Sequence, residues 1–342
     1  MEGRLSKKVI VVTGASAGVG RAIVDELAKE GAKLGLIARG EEKLLSTVQE
    51  VIELGGEAIA CAVDVSDLDQ VEEAARIIEE KFGPIDIWIN NAMVTMLGRV
   101  KDIKSDEVRH VMDVNYIGSV NGVMVASRRF LPRNRGHIIQ IGSALAYLGI
   151  PLQSAYCASK FAIRGFLQSF RIELKMSKSK VKLSEVHLPA VNTPQFEWMR
   201  NYLPKHPMPV PPIFEPQVIG RAVRFIIDHP RSEMWIGGPT VKAILGAKFL
   251  PWLAEWKLSR HGVEDQQTEQ IPPTGENNFW KPLAKDYGAK GCFSSVAKKQ
   301  SWQALASMNR NILAGASALV AASATYLWKK NHRPENLGTF IQ

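Results

Sequence analysis

Thr13-Gly14-Ala15-Ser16-Ala17-Gly18-Val19-Gly20 follows the apolar run Val9–Val12 and opens an amphipathic stretch near residues 19–30. The run reads as a buried strand and the stretch as a helix, so the glycines occupy a strand-to-helix turn. Gly14 can turn the chain tightly. Gly18 and Gly20 let the backbone and the helix approach a pyrophosphate, which a helix N-terminus attracts. Ser16 and Val19 complete this candidate phosphate-binding turn. The spacing is G-x-x-x-G-x-G and lacks the lysine of a P-loop, which disfavours phosphoryl transfer.

Outward from the turn, short apolar runs alternate with amphipathic stretches. Strands are expected at Val9–Val12, Leu34–Ala38, Ala58–Val63, Ile85–Asn90, His137–Ile141, Val181–His187 and Glu233–Ile236. Helices are expected near 19–30, 41–54, 67–82, 105–131, 154–177 and 216–229. This rhythm predicts an α/β fold, a doubly wound parallel sheet of about seven strands with helices on both faces. The strands are nearly all apolar, as strands covered on both faces are.

Tyr156-Cys157-Ala158-Ser159-Lys160 falls in the fifth helical stretch, with Ser143 thirteen residues before Tyr156. The i, i+4 spacing puts Tyr156 and Lys160 on one helix face. A phenol titrates near pH 10, and an adjacent ammonium favours the phenolate and lowers that value. Such a tyrosine can pass a proton to or from a carbonyl oxygen.

The second strand ends at Ile37-Ala38-Arg39. A site for NAD places an acid there for the ribose 2′-hydroxyl. Arg39 instead suits a 2′-phosphate, so NADP(H) is the expected cofactor.

Net charge is +9, with basic clusters at Arg128, Arg129, Arg133 and Arg135, and at Lys175, Lys178, Lys180 and Lys182. These read as solvated helix ends and loops, or as surfaces for phosphates or anionic lipid. Zinc-finger, RNA-binding and helix-turn-helix signatures are missing, so no nucleic-acid partner is expected. The three cysteines, Cys61, Cys157 and Cys292, suggest neither a disulfide framework nor a metal cluster, which fits a reducing, cytoplasmic compartment. The start of the chain has no signal-peptide pattern.

Residues 1–240 are expected to form the nucleotide domain, 241–300 an extension draped over it, and 301–342 a tail. The proline-rich segment 189–216, with Phe196, Trp198, Tyr202 and Phe214, reads as a substrate lid. Thr240 to Arg260 is apolar on most faces and suits a membrane interface, an oligomer contact or a pocket wall. Residues 312–328 carry no charge and reach the lower length limit for a spanning helix, so they are a candidate membrane anchor or an Ala-rich docking helix.

Together these residues resemble the short-chain dehydrogenase/reductase superfamily, in its shorter branch, over roughly residues 5–240. The resemblance rests on Thr13–Gly20, Asp64-Val65, Asn90-Asn91-Ala92, Asn115, Ser143, Tyr156-x-x-x-Lys160 and Pro189–Pro194. The tail from Gly237 through Gly291 is similar to that of uncharacterised bacterial-type oxidoreductases with long C-termini.

The resemblance implies a Rossmann-type fold and roles for particular positions. Tyr156 would be the general acid in carbonyl reduction and the base in alcohol oxidation. Lys160 would hold the nicotinamide ribose and lower the tyrosine pKa, and Ser143 would bind the substrate oxygen. Asn115 would hold a relay water. Asp64 and Val65 would border the adenine, Asn90 and Ala92 would line the cofactor cleft, and Val191 and Thr193 would meet the carboxamide. Members dimerise through helices like those at 105–131 and 154–177, so a homodimer is expected. Met93 and Ala190 stand where the family usually has glycine.

The expected function is NADP(H)-dependent interconversion of a carbonyl and a secondary alcohol on a lipophilic substrate. The alternatives are a non-catalytic NADP(H)-binding protein or membrane redox sensor, and a nucleotide-sugar epimerase or dehydratase, which the glycine spacing disfavours.

Overall fold

The structure, a computed structural model, describes residues 3–272 and 276–310 with Ser323, Thr325 and Trp328. The chain divides into two units, Met1–Ser301 and Trp302–Gln342.

The first unit alternates strands and helices. In order these are β1 (Val9–Thr13), α1 (Gly18–Ala28), β2 (Lys33–Ala38), α2 (Glu41–Glu53), β3 (Glu57–Ala62), α3 (Leu68–Phe82) and β4 (Ile87–Asn90). There follow β5 (Met96–Leu97), α4 (Ser105–Met112), α5 (Gly118–Phe130), β6 (His137–Ser143), α6 (Ser154–Met176), β7 (Lys182–Leu188) and α7 (Gln195–Trp198). The unit continues with β8 (Arg200–Asn201), α8 (Pro216–Asp228), β9 (Glu233–Trp235), α9 (Gly238–Phe249) and α10 (Pro251–His261). In the second unit the helix α11 spans Trp302–Met308.

Seven strands form one parallel sheet in the order β3-β2-β1-β4-β6-β7-β9. They are the seven runs read from the sequence. Every residue of β1 and of β6 is buried; β1 is apolar up to Thr13, and in β6 the polar His137 bonds to Ser184 while Gln140 bonds to Ser119. The strand order runs outward in both directions from the β1/β4 pair. A doubly wound sheet opens its ligand crevice at such a switch point, beyond the strands' carboxyl ends.

Local chemistry places the helices. Asp67 caps α3, its carboxylate accepting the N–H groups of Asp69 and Gln70 at 3.0 and 3.1 Å. Gly83, at φ 87°, ends that helix. The stretch expected as one helix over 105–131 contains a π turn at Asp113–Ile117, which links α4 to α5. Such turns shift side-chain register and cluster at functional sites. Here the turn carries Asn115.

The apolar stretch Thr240 to Arg260 is two helices. Pro251 disfavours helical angles at the preceding residue, and Leu250 leaves the helix at φ −136°, ψ 53°. Three of the four arginines near residue 130 are ion-paired, Arg128 and Arg129 with Glu72, Arg129 also with Glu79, and Arg135 with Asp86, while Arg133 donates to the carbonyls of Arg129 and Ile85. Apart from Ser323, Thr325 and Trp328, the candidate anchor 312–328 lies outside the described residues. Among the described residues, no helix is long and apolar enough to cross a membrane.

The contact that sets α1 against β1 is between backbones. A Cβ at Gly20 would stand 2.0 Å from the Gly14 carbonyl oxygen. Gly20→Ala should therefore destabilise the fold by about 1–3 kcal/mol, the usual cost of overpacking. Urea unfolding measures this, and an unchanged midpoint would show that α1 has room to shift.

Candidate active site

The crevice at the switch point is a cleft of about 1000 Å³. Its floor is the turn after β1. Gly14 (φ 65°) and Gly18 (φ 58°) adopt conformations that favour glycine. Gly14, Ser16, Gly18 and Val19 line the cleft, whereas Gly20 sits behind it against Gly14. Asn91 braces the turn, its amide donating to the carbonyls of Thr13 and Gly14 at 3.0 and 3.2 Å.

Helix α6 delivers Tyr156 and Lys160 to the opposite wall, and β6 delivers Ser143. Ser143 caps a short 3-10 turn, and its Oγ accepts the Leu145 N–H at 3.1 Å. That bond leaves the hydroxyl proton free for another acceptor. Ser143 and Tyr156 both line the cleft, and Ser143 draws the phenol's pKa downward. Lys160 is buried, with Nζ 5.5 Å from the Tyr156 ring centre and donating to the Ile141 carbonyl at 3.2 Å.

The electrostatics correct one expectation. Burial pushes the Tyr156 phenol up to about 12, against a smaller downward pull from Ser143. Burial also pulls the Lys160 ammonium down to about 8. Enclosure disfavours both charged forms and outweighs the pairing expected from i, i+4 spacing. At neutral pH the pair is a neutral phenol beside an ammonium.

Asn115 lies behind this wall. Its Oδ1 accepts the Val94 N–H at 2.8 Å, and its Nδ2 donates to the Val94 carbonyl at 3.0 Å and to Ser159 Oγ at 3.1 Å. It thus ties the loop after β4 to the residue preceding Lys160. Asn90, expected to line the cleft, stands outside it. Its side chain accepts from Trp88 Nε1 and donates to the Ser119 carbonyl. Its neighbours Asn91 and Ala92 line the cleft in its stead.

Asp64, Val65, Val191 and Thr193 all border the cleft. Asp64 Oδ1 accepts from Ser66 N and Oγ at 2.9 and 2.7 Å, which fixes the turn after β3. Met93 and Ala190 also line the cleft, and neither adopts a positive φ, so losing glycine there costs no backbone strain. The proline-rich segment 189–216 contributes Phe196, Trp198 and the run Pro209–Pro212 to the wall. It is tethered by β8, which pairs with β5.

Arg39 lines the cleft at the end of β2 but is already engaged. Its NH1 donates to the carbonyls of Phe279 and Trp280 at 3.4 and 3.1 Å, and its NH2 to Asn278 at 2.7 Å. Sequence reasoning missed Lys43, a buried cation one turn into α2 that also lines the cleft. Among the described residues it has no ion-pair partner, and burial lowers its pKa. It also missed His187, buried beneath Ser143, whose Nδ1 donates to the Ser143 carbonyl at 3.2 Å. Ala243, Gly246, Leu250, Leu253, Ala254 and Leu258, with Lys242 and Lys257 of the same α9–α10 region, also line the cleft.

A profile of the short chain dehydrogenase family matches residues 8–201. The chain is 33% identical over 270 residues to the uncharacterised oxidoreductase YxnA of Bacillus subtilis, covering 78% of this chain and 76% of that one. It is 33% identical over 192 residues to 3-ketodihydrosphingosine reductase of Bos taurus, covering 55% of this chain and 57% of the relative. A short chain dehydrogenase/reductase from Burkholderia phymatum in complex with NAD superposes with a TM-score of 0.64 at 26% identity, over 75% of this chain and 96% of that one. An alcohol dehydrogenase from Thermococcus sibiricus complexed with 5-hydroxy-NADP gives 0.59 at 26% identity, over 67% and 95%. The chain belongs to the short-chain dehydrogenase/reductase family of oxidoreductases.

Proposed function

We propose that this protein is an NADP(H)-dependent reductase of a lipophilic carbonyl, forming a secondary alcohol. The observation that carries the reading is the convergence of Tyr156, Ser143 and Lys160 on one cleft, with Lys160 Nζ 5.5 Å from the Tyr156 ring centre. Bound NADPH would supply the hydride. Reduction leaves negative charge on the carbonyl oxygen. Tyr156, un-ionised at neutral pH, donates its proton there, and Ser143 donates a hydrogen bond to the same atom. Lys160 stabilises the phenolate that remains.

The cleft suits a dinucleotide. Gly14 and Gly18 form a cradle free of side chains, and Gly18 lies close enough to Thr193 that a Cβ would touch it at 3.4 Å. No acid follows β2. Arg39 and Lys43 supply two cations instead, and Lys43, desolvated and without a salt bridge among the described residues, gains most from a phosphate. That is the support for a 2′-phosphate. The apolar residues of the α9–α10 lining support a lipophilic substrate, and a sphingoid-type ketone fits the likeness to 3-ketodihydrosphingosine reductase. Asn115, through Ser159, keeps α6 and hence Lys160 in register. A homodimer through α5 and α6 fits Phe161, Ile172 and Met176, which are exposed on α6.

NADPH oxidation against a panel of long-chain and aromatic ketones tests the reading. Turnover should fall as pH rises through about 8, because Lys160 loses its charge there and no longer stabilises the phenolate. A rate constant to pH 10 would contradict this role, and NADPH binding with no turnover on any ketone would favour a non-catalytic binding protein. Lys43→Gln should weaken NADPH by about tenfold or more, the worth of one charge-assisted hydrogen bond, and spare NADH. Equal losses for both would refute the 2′-phosphate assignment.

A further inference from the structure

Residues 276–299 carry neither helix nor sheet strand, yet Asn278, Pro282 and Lys298 among them line the dinucleotide cleft. At the β2 end Phe279 is fully buried in the main core, its ring edge-on to His110 at 5.0 Å. The carbonyls of Asn278, Phe279 and Trp280 receive Arg39. At the far end Lys298 N donates to the Ile213 carbonyl at 2.8 Å, and Glu215 N donates to the Lys298 carbonyl at 3.0 Å.

Between these anchors the segment is unevenly held. Within residues 281–296 only Leu283 is buried. The far part is held: Phe293 N donates to Asn192 Oδ1 at 3.0 Å, Asn192 Nδ2 donates to Ser294 Oγ at 2.9 Å, and the Phe293 ring meets Phe196 and His206. The nearer part, residues 281–290, makes fewer contacts, on cofactor-site elements. Asp286 accepts from Arg21 at 3.3 Å and from Ser46 at 2.7 Å. Tyr287 sets its ring against Trp198 at 4.6 Å. The Gly288 carbonyl accepts the Gly18 N–H at 3.0 Å, and just past this part Gly291 N donates to the Asn192 carbonyl at 3.2 Å.

The Gly18 bond is the informative one. It uses a first-turn N–H of α1, in the group of donors that a helix N-terminus offers to a diphosphate. A segment firmly fixed at both ends and weakly packed between them opens at low free energy.

We propose that the extension is the second wall of the dinucleotide site. Asn278–Trp280 hold Arg39 in position at the 2′-phosphate end. The span from Lys281 to Lys290 is a strap, latched by Asp286, that lifts to admit the dinucleotide and closes over its diphosphate. This rests on the dinucleotide reading above.

The test uses the full chain, NADPH as probe, and stopped-flow nicotinamide fluorescence. Two variants loosen different contacts, Asp286→Ala and Tyr287→Ala, each first shown to melt cooperatively. Both the association and the dissociation rate constants should rise by about tenfold or more, the effect of losing one charge-assisted contact, while Kd changes far less than either rate. Wild-type rates in both variants would overturn the strap. So would faster dissociation with unchanged association, which describes a fixed wall that contributes affinity. If none of the three proteins binds NADPH or NADH, the dinucleotide reading itself fails and the strap falls with it. Binding by the variants but not by the wild type would show the latch at its strongest.

Discussion

The approach of helix α1 to the end of strand β1 is the constraint on which the rest depends. The Gly14 carbonyl occupies space that any side chain at Gly20 would need. Because the two backbones meet there, the N-terminus of α1 opens directly into the gap between β1 and β4. The parallel sheet then brings the carboxyl ends of β4, β6 and β7 around the same gap. Asn91, Ser143 and Val191 reach the cleft from or just beyond those ends. A side chain at Gly20 would push the helix away and blunt the whole crevice.

On the opposite wall, burial rather than pairing governs the chemistry. Lys160 and Tyr156 share a helix face, but their shared enclosure penalises charge on each. The phenol stays protonated and the ammonium becomes easier to deprotonate. That state suits proton donation to a carbonyl. The local hydrogen bonds keep it in place: Leu145 occupies the Ser143 acceptor, His187 holds the Ser143 carbonyl, and Asn115 steadies the residue beside Lys160.

The sheet was legible in the sequence because each strand is a short apolar run closed by turn residues, and that pattern survives into the structure. The glycine turn, Ser143, Tyr156 and Lys160 were legible for the same reason: their spacing is local. What escaped depends on direction and on distant chain. Asn90 and Asn91 are adjacent amides, and only the twist of β4 decides which one faces the cleft. The direction of the Tyr156 shift needed the depth of burial. Lys43 looked like one of several charges opening α2. The extension's grip on Arg39 is made through backbone carbonyls, which leave no mark on residue identity. The break at Leu250–Pro251, by contrast, was marked by its proline.

The central claim is that Tyr156 is the proton donor. The most direct measurement is NADPH oxidation by Tyr156→Phe with the best ketone substrate, alongside NADPH binding. Loss of the hydroxyl should leave NADPH affinity near wild type and lower turnover by about a hundredfold or more, the usual worth of general acid catalysis. Wild-type turnover in that variant would contradict the account.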